Sequence, residues 1–248
     1  MSMLEIRNLN KSFGAIQVSR DICISIEANQ CHAVIGPNGA GKTTLIHQIS
    51  GVLTSDSGSI ALAGENITDM SVPRRVQAGL GRTFQITSVL PSFSVLENLS
   101  IAAQSKSGSS MRFFREAAKE SALNDTAHET LLRVGLHDRA DIPAADLSHG
   151  ELRLLELGIA LAGKPKFLLL DEPMAGLGRT ESAALVTLLL ELRESLPMLL
   201  VEHDMDAIFK LADVVSVLVD GGIVVSGSPS EVRADPAARA AYLGEGTR

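Results

Sequence analysis

The run Gly36-Pro37-Asn38-Gly39-Ala40-Gly41-Lys42-Thr43 constrains this chain more than any other stretch. It satisfies G-x-x-x-x-G-K-[ST], a pattern expected by chance somewhere in a chain of this length on the order of 1% of the time. A turn of this form needs a buried strand before it and a helix after it. Cys31-His32-Ala33-Val34-Ile35 has the continuous apolar character of a buried parallel strand, and residues 43–49 read as a helix closed by Gly51. The glycines let backbone N–H groups close around phosphates, and the helix start adds its positive end. Lys42 supplies a point charge to the outer phosphates, and Thr43 offers its hydroxyl to Mg²⁺.

The second cluster lies far downstream. In Phe167-Leu168-Leu169-Leu170-Asp171-Glu172-Pro173 an apolar strand ends in two acids, at the carboxyl edge of a sheet where α/β proteins bind ligands. Asp171 is placed to hold Mg²⁺ through the metal's waters, and Glu172 to orient or deprotonate an attacking water. Two adjacent acids on a buried strand are costly without a cation or hydrogen bonds to compensate. The alternative, a turn with a helix N-cap, accounts for the acids but not for their pairing with a phosphate loop.

Between and around these landmarks the chain alternates in the manner of a parallel α/β sheet. Residues 4–7, 22–26 and 57–63 read as strands, and residues 82–162 as a helical insert, with helices over 95–104 and 112–134 around a Ser/Gly-rich break at 105–110. The insert ends in a helical run over residues 152–162. Strands over 167–170, 198–201 and 214–219 then alternate with helices over 181–194 and 206–212, before a hairpin arm from residue 224 and an alanine-rich helical tail. The 45% apolar content of the 248 residues suffices for a globular core. A net charge of -7 argues against a chain held mainly by nucleic-acid backbones. No apolar run approaches the roughly 18 residues of a spanning helix, and the first residues lack a signal-peptide pattern, so the expectation is a cytoplasmic chain. Cys23 and Cys31 lack metal-ligand spacing and suit a reducing compartment.

Leu147-Ser148-His149-Gly150-Glu151 lies between the phosphate loop and the acids and resembles the Leu-Ser-Gly-Gly-Gln signature of ATP-binding cassette (ABC) transporter ATPases. The resemblance covers essentially the whole chain. It implies a P-loop NTPase (RecA-like) core at residues 1–84 and 163–225, with an N-terminal antiparallel β part, an inserted α-helical subdomain at 85–162 and a tail at 226–248. Carried over motif by motif, Phe13 resembles the aromatic that stacks on adenine, although an aromatic there could equally fill a sheet face. Residues 36–43, with Thr44, form the ATP-phosphate loop. Gln85, in Arg82-Thr83-Phe84-Gln85, resembles the glutamine that reaches metal and water, and His203 resembles the switch histidine on the γ-phosphate. Ser148 and Gly150 are the hydroxyl and close-approach positions of the signature, where His149 and Glu151 replace glycine and glutamine. Ala175-Gly176-Leu177-Gly178 matches the loop by which two ATPases touch, with Gly178 where many members carry aspartate.

The implied machine is a pair of ATPases, in which one chain's phosphate loop faces the other's signature helix across ATP and Mg²⁺. The resemblance implies a peripheral assembly on the cytoplasmic face of the inner membrane. Arg82-Thr83-Phe84-Gln85, the long insert and the ending Gly227-Ser228-Pro229 with Ala241-Tyr242-Leu243-Gly244 resemble the branched-chain (hydrophobic) amino acid importer subfamily. That implies two transmembrane permease subunits, a second ATPase that is a paralogue or a second copy, a periplasmic substrate-binding protein and no nucleic acid. Leu147-Ser148-His149-Gly150 also resembles ATPases of urea importers, so urea, amides or other small solutes stay open as cargo. A soluble ABC ATPase of DNA repair or translation, and a nucleotide-binding regulator without turnover, are the readings from other classes.

Overall fold

The computed structural model describes residues 2–83, 89–106 and 117–240. Two sheets set the architecture. The first is antiparallel and contains β1 (Ser2–Phe13), β2 (Ile16–Glu27) and, beyond the intervening β3 (Cys31–Ile35), β4 (Ser57–Leu62) and β5 (Glu65–Asn66), in the order β2-β1-β4-β5. The second adds β6 (Leu80–Arg82), β7 (Phe167–Asp171), β8 (Met198–Val201), β9 (Val214–Val219) and β10 (Gly222–Gly227) in the order β10-β9-β3-β8-β7-β6. Its pairings are parallel except β10 against β9.

The helices are α1 (Lys42–Ser50), α2 (Val72–Ala78), α3 (Val95–Lys106), α4 (Ala117–Arg133), α5 (His149–Ala162), α6 (Arg179–Arg193), α7 (Met205–Leu211), α8 (Pro229–Ala234) and α9 (Pro236–Ala238). In chain order α3, α4 and α5 fall between β6 and β7, two strands that pair with each other, so the helical segment leaves and rejoins the sheet at adjacent strands. The three helices pack on one another.

Strand alternation divides the core into layers. Phe167 and Leu169 of β7, with Leu199 and Val201 of β8, face a cluster that holds the antiparallel sheet and Leu45, Ile46 and Ile49 of α1. Leu168, Leu170, Met198 and Leu200 point the other way, into a cluster with α3 to α6. Every residue of β3, β7 and β8 is buried, the polar His32 and Asp171 included, as strands between two covered faces must be. Full burial of each large apolar side chain there contributes about 1.5–3 kcal/mol relative to exposure.

The expected strands at 4–7 and 22–26 lie within much longer strands. β5, α2 and β6, between residues 64 and 82, were not expected. The expected break at 105–110 and the start of the helix at 112–134 lie partly outside the described residues, as do Phe84, Gln85 and residues 241–244. Both cysteines are free, Cys23 exposed and Cys31 buried. Among the described residues no helix is long and apolar enough to cross a membrane.

Candidate active site

The carboxyl ends of β3, β8 and β7 lie side by side, since Val34 pairs with Val201 and Val201 with Asp171. Each strand delivers one part of the site. β3 runs into the glycine turn, whose geometry explains its composition. A Cβ on Gly36 would lie 2.1 Å from the Leu218 carbonyl oxygen, and Gly41 holds φ +106 with the Val18 carbonyl 2.5 Å from where a Cβ would be. Gly41 then starts α1 without a side-chain cap, so the helix's first N–H groups face the loop. Lys42 Nζ donates to the carbonyls of Gly36 (2.7 Å) and Pro37 (3.0 Å). Burial holds the Lys42 ammonium below its ordinary pKa, opposed by the carboxylates of Glu172 and Asp171. Pro37 and Thr44 are half-buried, Asn38, Gly39 and Thr43 are exposed and Ala40 is buried, with its carbonyl accepting the Gly221 N–H at 3.0 Å.

β7 delivers the acids. The Asp171 side chain is buried, and among the described residues neither carboxylate oxygen has a hydrogen-bond partner. Its pKa is raised by burial, opposed chiefly by the Arg82 guanidinium, whose Nη2 lies 3.8 Å away. Arg82 Nη1 donates to Ser50 Oγ at 2.7 Å. An orphaned buried carboxylate at the same sheet edge as the phosphate loop fits a hydrated divalent cation, which would satisfy those oxygens. Glu172 takes a left-handed backbone (φ +47) and donates its N–H to the Val201 carbonyl at 2.8 Å, which turns its side chain out of the strand into a partly exposed position.

β8 delivers the switch segment. His203 Nδ1 lies 3.9 Å from Glu172 Oε1 and 3.8 Å from Glu202 Oε2. Glu202 is 1% exposed, and its carboxylate accepts the N–H groups of Met174 at 2.8 Å and His203 at 2.9 Å.

Phe13 ends β1 at 53% exposure, with Lys11 Nζ 5.6 Å above its ring, so it is an available platform and no core residue. Ser148 caps α5 in a reciprocal box with Glu151: Glu151 N–H donates to Ser148 Oγ (3.2 Å) and Ser148 N–H to Glu151 Oε2 (2.8 Å). Glu151 also pairs with Arg139 at 2.7 Å. Among the described residues no hydrogen bond joins this turn to the phosphate loop. It sits instead on the segment after the acids, where His149 Nε2 is 3.4 Å from the Ala175 carbonyl and a Cβ on Gly150 would meet Glu181 Oε1 at 2.5 Å. One chain therefore brings Lys42, Asp171, Glu172 and His203 together and keeps Ser148 and Gly150 apart from them. Gln85 lies outside the described residues. Sequence reasoning missed Glu202 and Arg82; each sits inside a motif that drew attention to its neighbours.

The profile of the ABC transporter family matches residues 19–175, and that of the branched-chain amino acid ATP-binding cassette transporter matches residues 223–247. The high-affinity branched-chain amino acid transport ATP-binding protein LivG of Escherichia coli is 32% identical over 98% of this chain and 98% of its own. The probable branched-chain amino acid transport ATP-binding protein LivG of Archaeoglobus fulgidus is 32% identical over 98% of this chain and 96% of its own. Among solved structures, the ADP conformation of MJ1267, an ATP-binding cassette of an ABC transporter, superposes with a TM-score of 0.86 at 30% identity, over 98% of this chain and 99% of that one.

Proposed function

This chain belongs to the ATP-binding subunits of ABC transporters and is an ATPase with transmembrane partners, and from that premise we propose that it powers uptake of branched-chain or other hydrophobic amino acids. Support for the cargo class is the match of the branched-chain amino acid profile to residues 223–247, together with the names of the relatives.

The observation that carries the mechanism is the convergence of three strand ends, with Lys42, Glu172 and His203 at one edge of the sheet. ATP would stack its base on Phe13 and lay its phosphates in the loop 36–44. Lys42 would then exchange the carbonyls of Gly36 and Pro37 for phosphate oxygens. Thr43, Asp171 and Gln85 would hold Mg²⁺, which when bound supplies positive charge to the outer phosphates. Glu172 orients or deprotonates the attacking water, and His203 contacts the γ-phosphate from the other side of that carboxylate. Ser148, Gly150 and the start of α5 close over the nucleotide of a second ATPase, a paralogue or another copy, with the helix dipole facing its γ-phosphate. Loss of that phosphate removes the contact and lets the pair part.

Two permease subunits would receive the motion, fed by a periplasmic binding protein, with the ATPase peripheral on the cytoplasmic face. A groove of about 210 Å³ lined by Ser50, Val72, Val76, Leu80, Ala102 and Ile159 lies where the helical segment meets the sheet core, and it has room for one or two side chains of a permease helix laid across it.

The deciding experiment is recovery of tagged Glu172→Gln protein, trapped with ATP, from detergent-solubilised native membranes. Two multi-spanning proteins and a cassette ATPase should accompany it, and uptake of radiolabelled leucine by the reconstituted wild-type complex should require ATP. Hydrolysis by the variant should fall roughly 10²–10⁴-fold with ATP binding retained. Normal turnover would remove Glu172 from its role, and recovery of soluble partners alone would overturn the transport reading.

A further inference from the structure

We propose that Glu202 and His149 are positioning residues that clamp the two sides of the loop 174–178, so that the switch segment after β8 and the signature turn of α5 move as one body. The functional part of this inference rests on the two-ATPase reading above.

Glu202 is a charged side chain almost wholly removed from water, and hydrogen bonds must offset that cost. They come from two segments that are distant in sequence. Oε1 accepts the Met174 N–H at 2.8 Å, just beyond the acids, while Oε2 accepts the His203 N–H at 2.9 Å and more weakly that of Asp204 at 3.4 Å. The carboxylate cannot keep its solvation unless both segments stay in place. It is therefore a tie between Met174 and His203, and stronger than a neutral acceptor would make it.

The other side of the loop is held by the signature turn. The Ala175 carbonyl can only accept, so His149 Nε2, 3.4 Å away, is the donor. Gly176 sits against the Nε2 edge of the same ring. Its φ is +78, and a Cβ there would come within 2.8 Å of Nε2. A third contact closes the frame: Glu181 Oε2 accepts the Gly178 N–H at 2.9 Å while its Oε1 covers Gly150.

The consequence follows from which nucleotide each part serves. Glu172 and His203 act on the nucleotide of this chain, whereas Ser148 and Gly150 face that of the second ATPase. A stiff path from His203 through Glu202, Met174, Ala175 and His149 to Ser148 lets occupancy of one site bias the other. Gly178 offers no side chain for a bond across the interface, which leaves such a bond to the backbone and gives a path inside the chain more to carry.

Amide exchange of the full chain, read by mass spectrometry, tests the clamp without any partner. Glu202→Gln keeps only one acceptor for its two strong donors. Exchange should quicken roughly three- to tenfold, the effect of losing about one hydrogen bond, not only at 202–204 and 172–178 but also at 147–151. His149→Gly should quicken 174–178 and 202–204, and His149→Gln, which keeps a donor of similar reach, should restore them. Changes confined to the mutated segment would overturn the clamp. Should Glu202→Gln not fold, the exposed His149 variants still decide the matter. In the Glu172→Gln background the ATP concentration for half-maximal closure should rise by a similar factor in both weakening variants. Closure unaffected despite linked exchange would overturn the functional part. A parent that closes with neither itself nor its co-purified ATPase would overturn the two-ATPase reading while leaving the exchange test standing.

Discussion

His32 shows how one buried residue ties stability to pH. It sits in β3 at 3% exposure, with Nε2 2.8 Å from Ser216 Oγ, which in turn lies 2.8 Å from Ser226 Oγ. Nδ1 has no hydrogen-bond partner among the described residues, so a second proton there would place an unpaired charge in the core. Burial accordingly pushes its pKa from 6.5 down to about 4. The folded value lies below the unfolded one, so the unfolded chain takes the proton first as the pH falls. The stability contribution of neutral His32 is intact above pH 6.5 and is lost progressively toward pH 4. Between pH 7 and pH 4.5 the loss from this residue should be roughly 2–3 kcal/mol. Urea unfolding at both pH values would measure it: wild type should lose that much more than His32→Asn, and equal losses would place the acid sensitivity elsewhere.

At the scale of elements, the start of α5 is held by contacts from its neighbours as much as by its own cap. Gly150→Ala should push Glu181 aside and break its bond to the Gly178 N–H, loosening the start of α6 as well. We expect a cost of about 1 kcal/mol, or roughly 2–4 °C in Tm, by thermal unfolding. In a Glu181→Ala background the same substitution should cost almost nothing, and an undiminished cost would separate the two contacts. Such dependence also explains what the sequence made legible. The phosphate loop, the acids and the switch histidine each lie at the end of a short buried strand, and their residue types announce them locally. The longer antiparallel strands hid their length because Asn8 (φ +46) and Asp21 (φ +44) break the two-residue alternation where the pairing register shifts. α2 has seven residues and buries only Arg75, and β6 has three, so neither carries enough periodic pattern to be read. Glu202 looked like an ordinary acid at a strand end. Its burial follows only from β7 pairing with β8 and the chain returning over it at Met174.

Across the whole molecule, two apolar layers meet at one seam. The α1 end, α2 and β6 belong to the sheet core, α3 and α5 to the helical segment, and the groove between them is lined from both sides. A rotation of the helical segment against the core must therefore change the width of this groove, and an object seated in it must feel the rotation. Arg82 also lines the groove, and its guanidinium spans Ser50 and the buried Asp171, so the groove floor is continuous with the proposed nucleotide site. Val76 stands on the rim at 41% exposure. A charged side chain there faces solvent in the isolated chain, which limits its effect on stability to about 0.5 kcal/mol, but it would have to give up its water beneath a docked permease helix. Val76→Glu should thus leave Tm and ATP affinity unchanged while the multi-spanning proteins disappear from the ATP-trapped pull-down. Undiminished recovery of those proteins would move the docking surface to another face of the molecule.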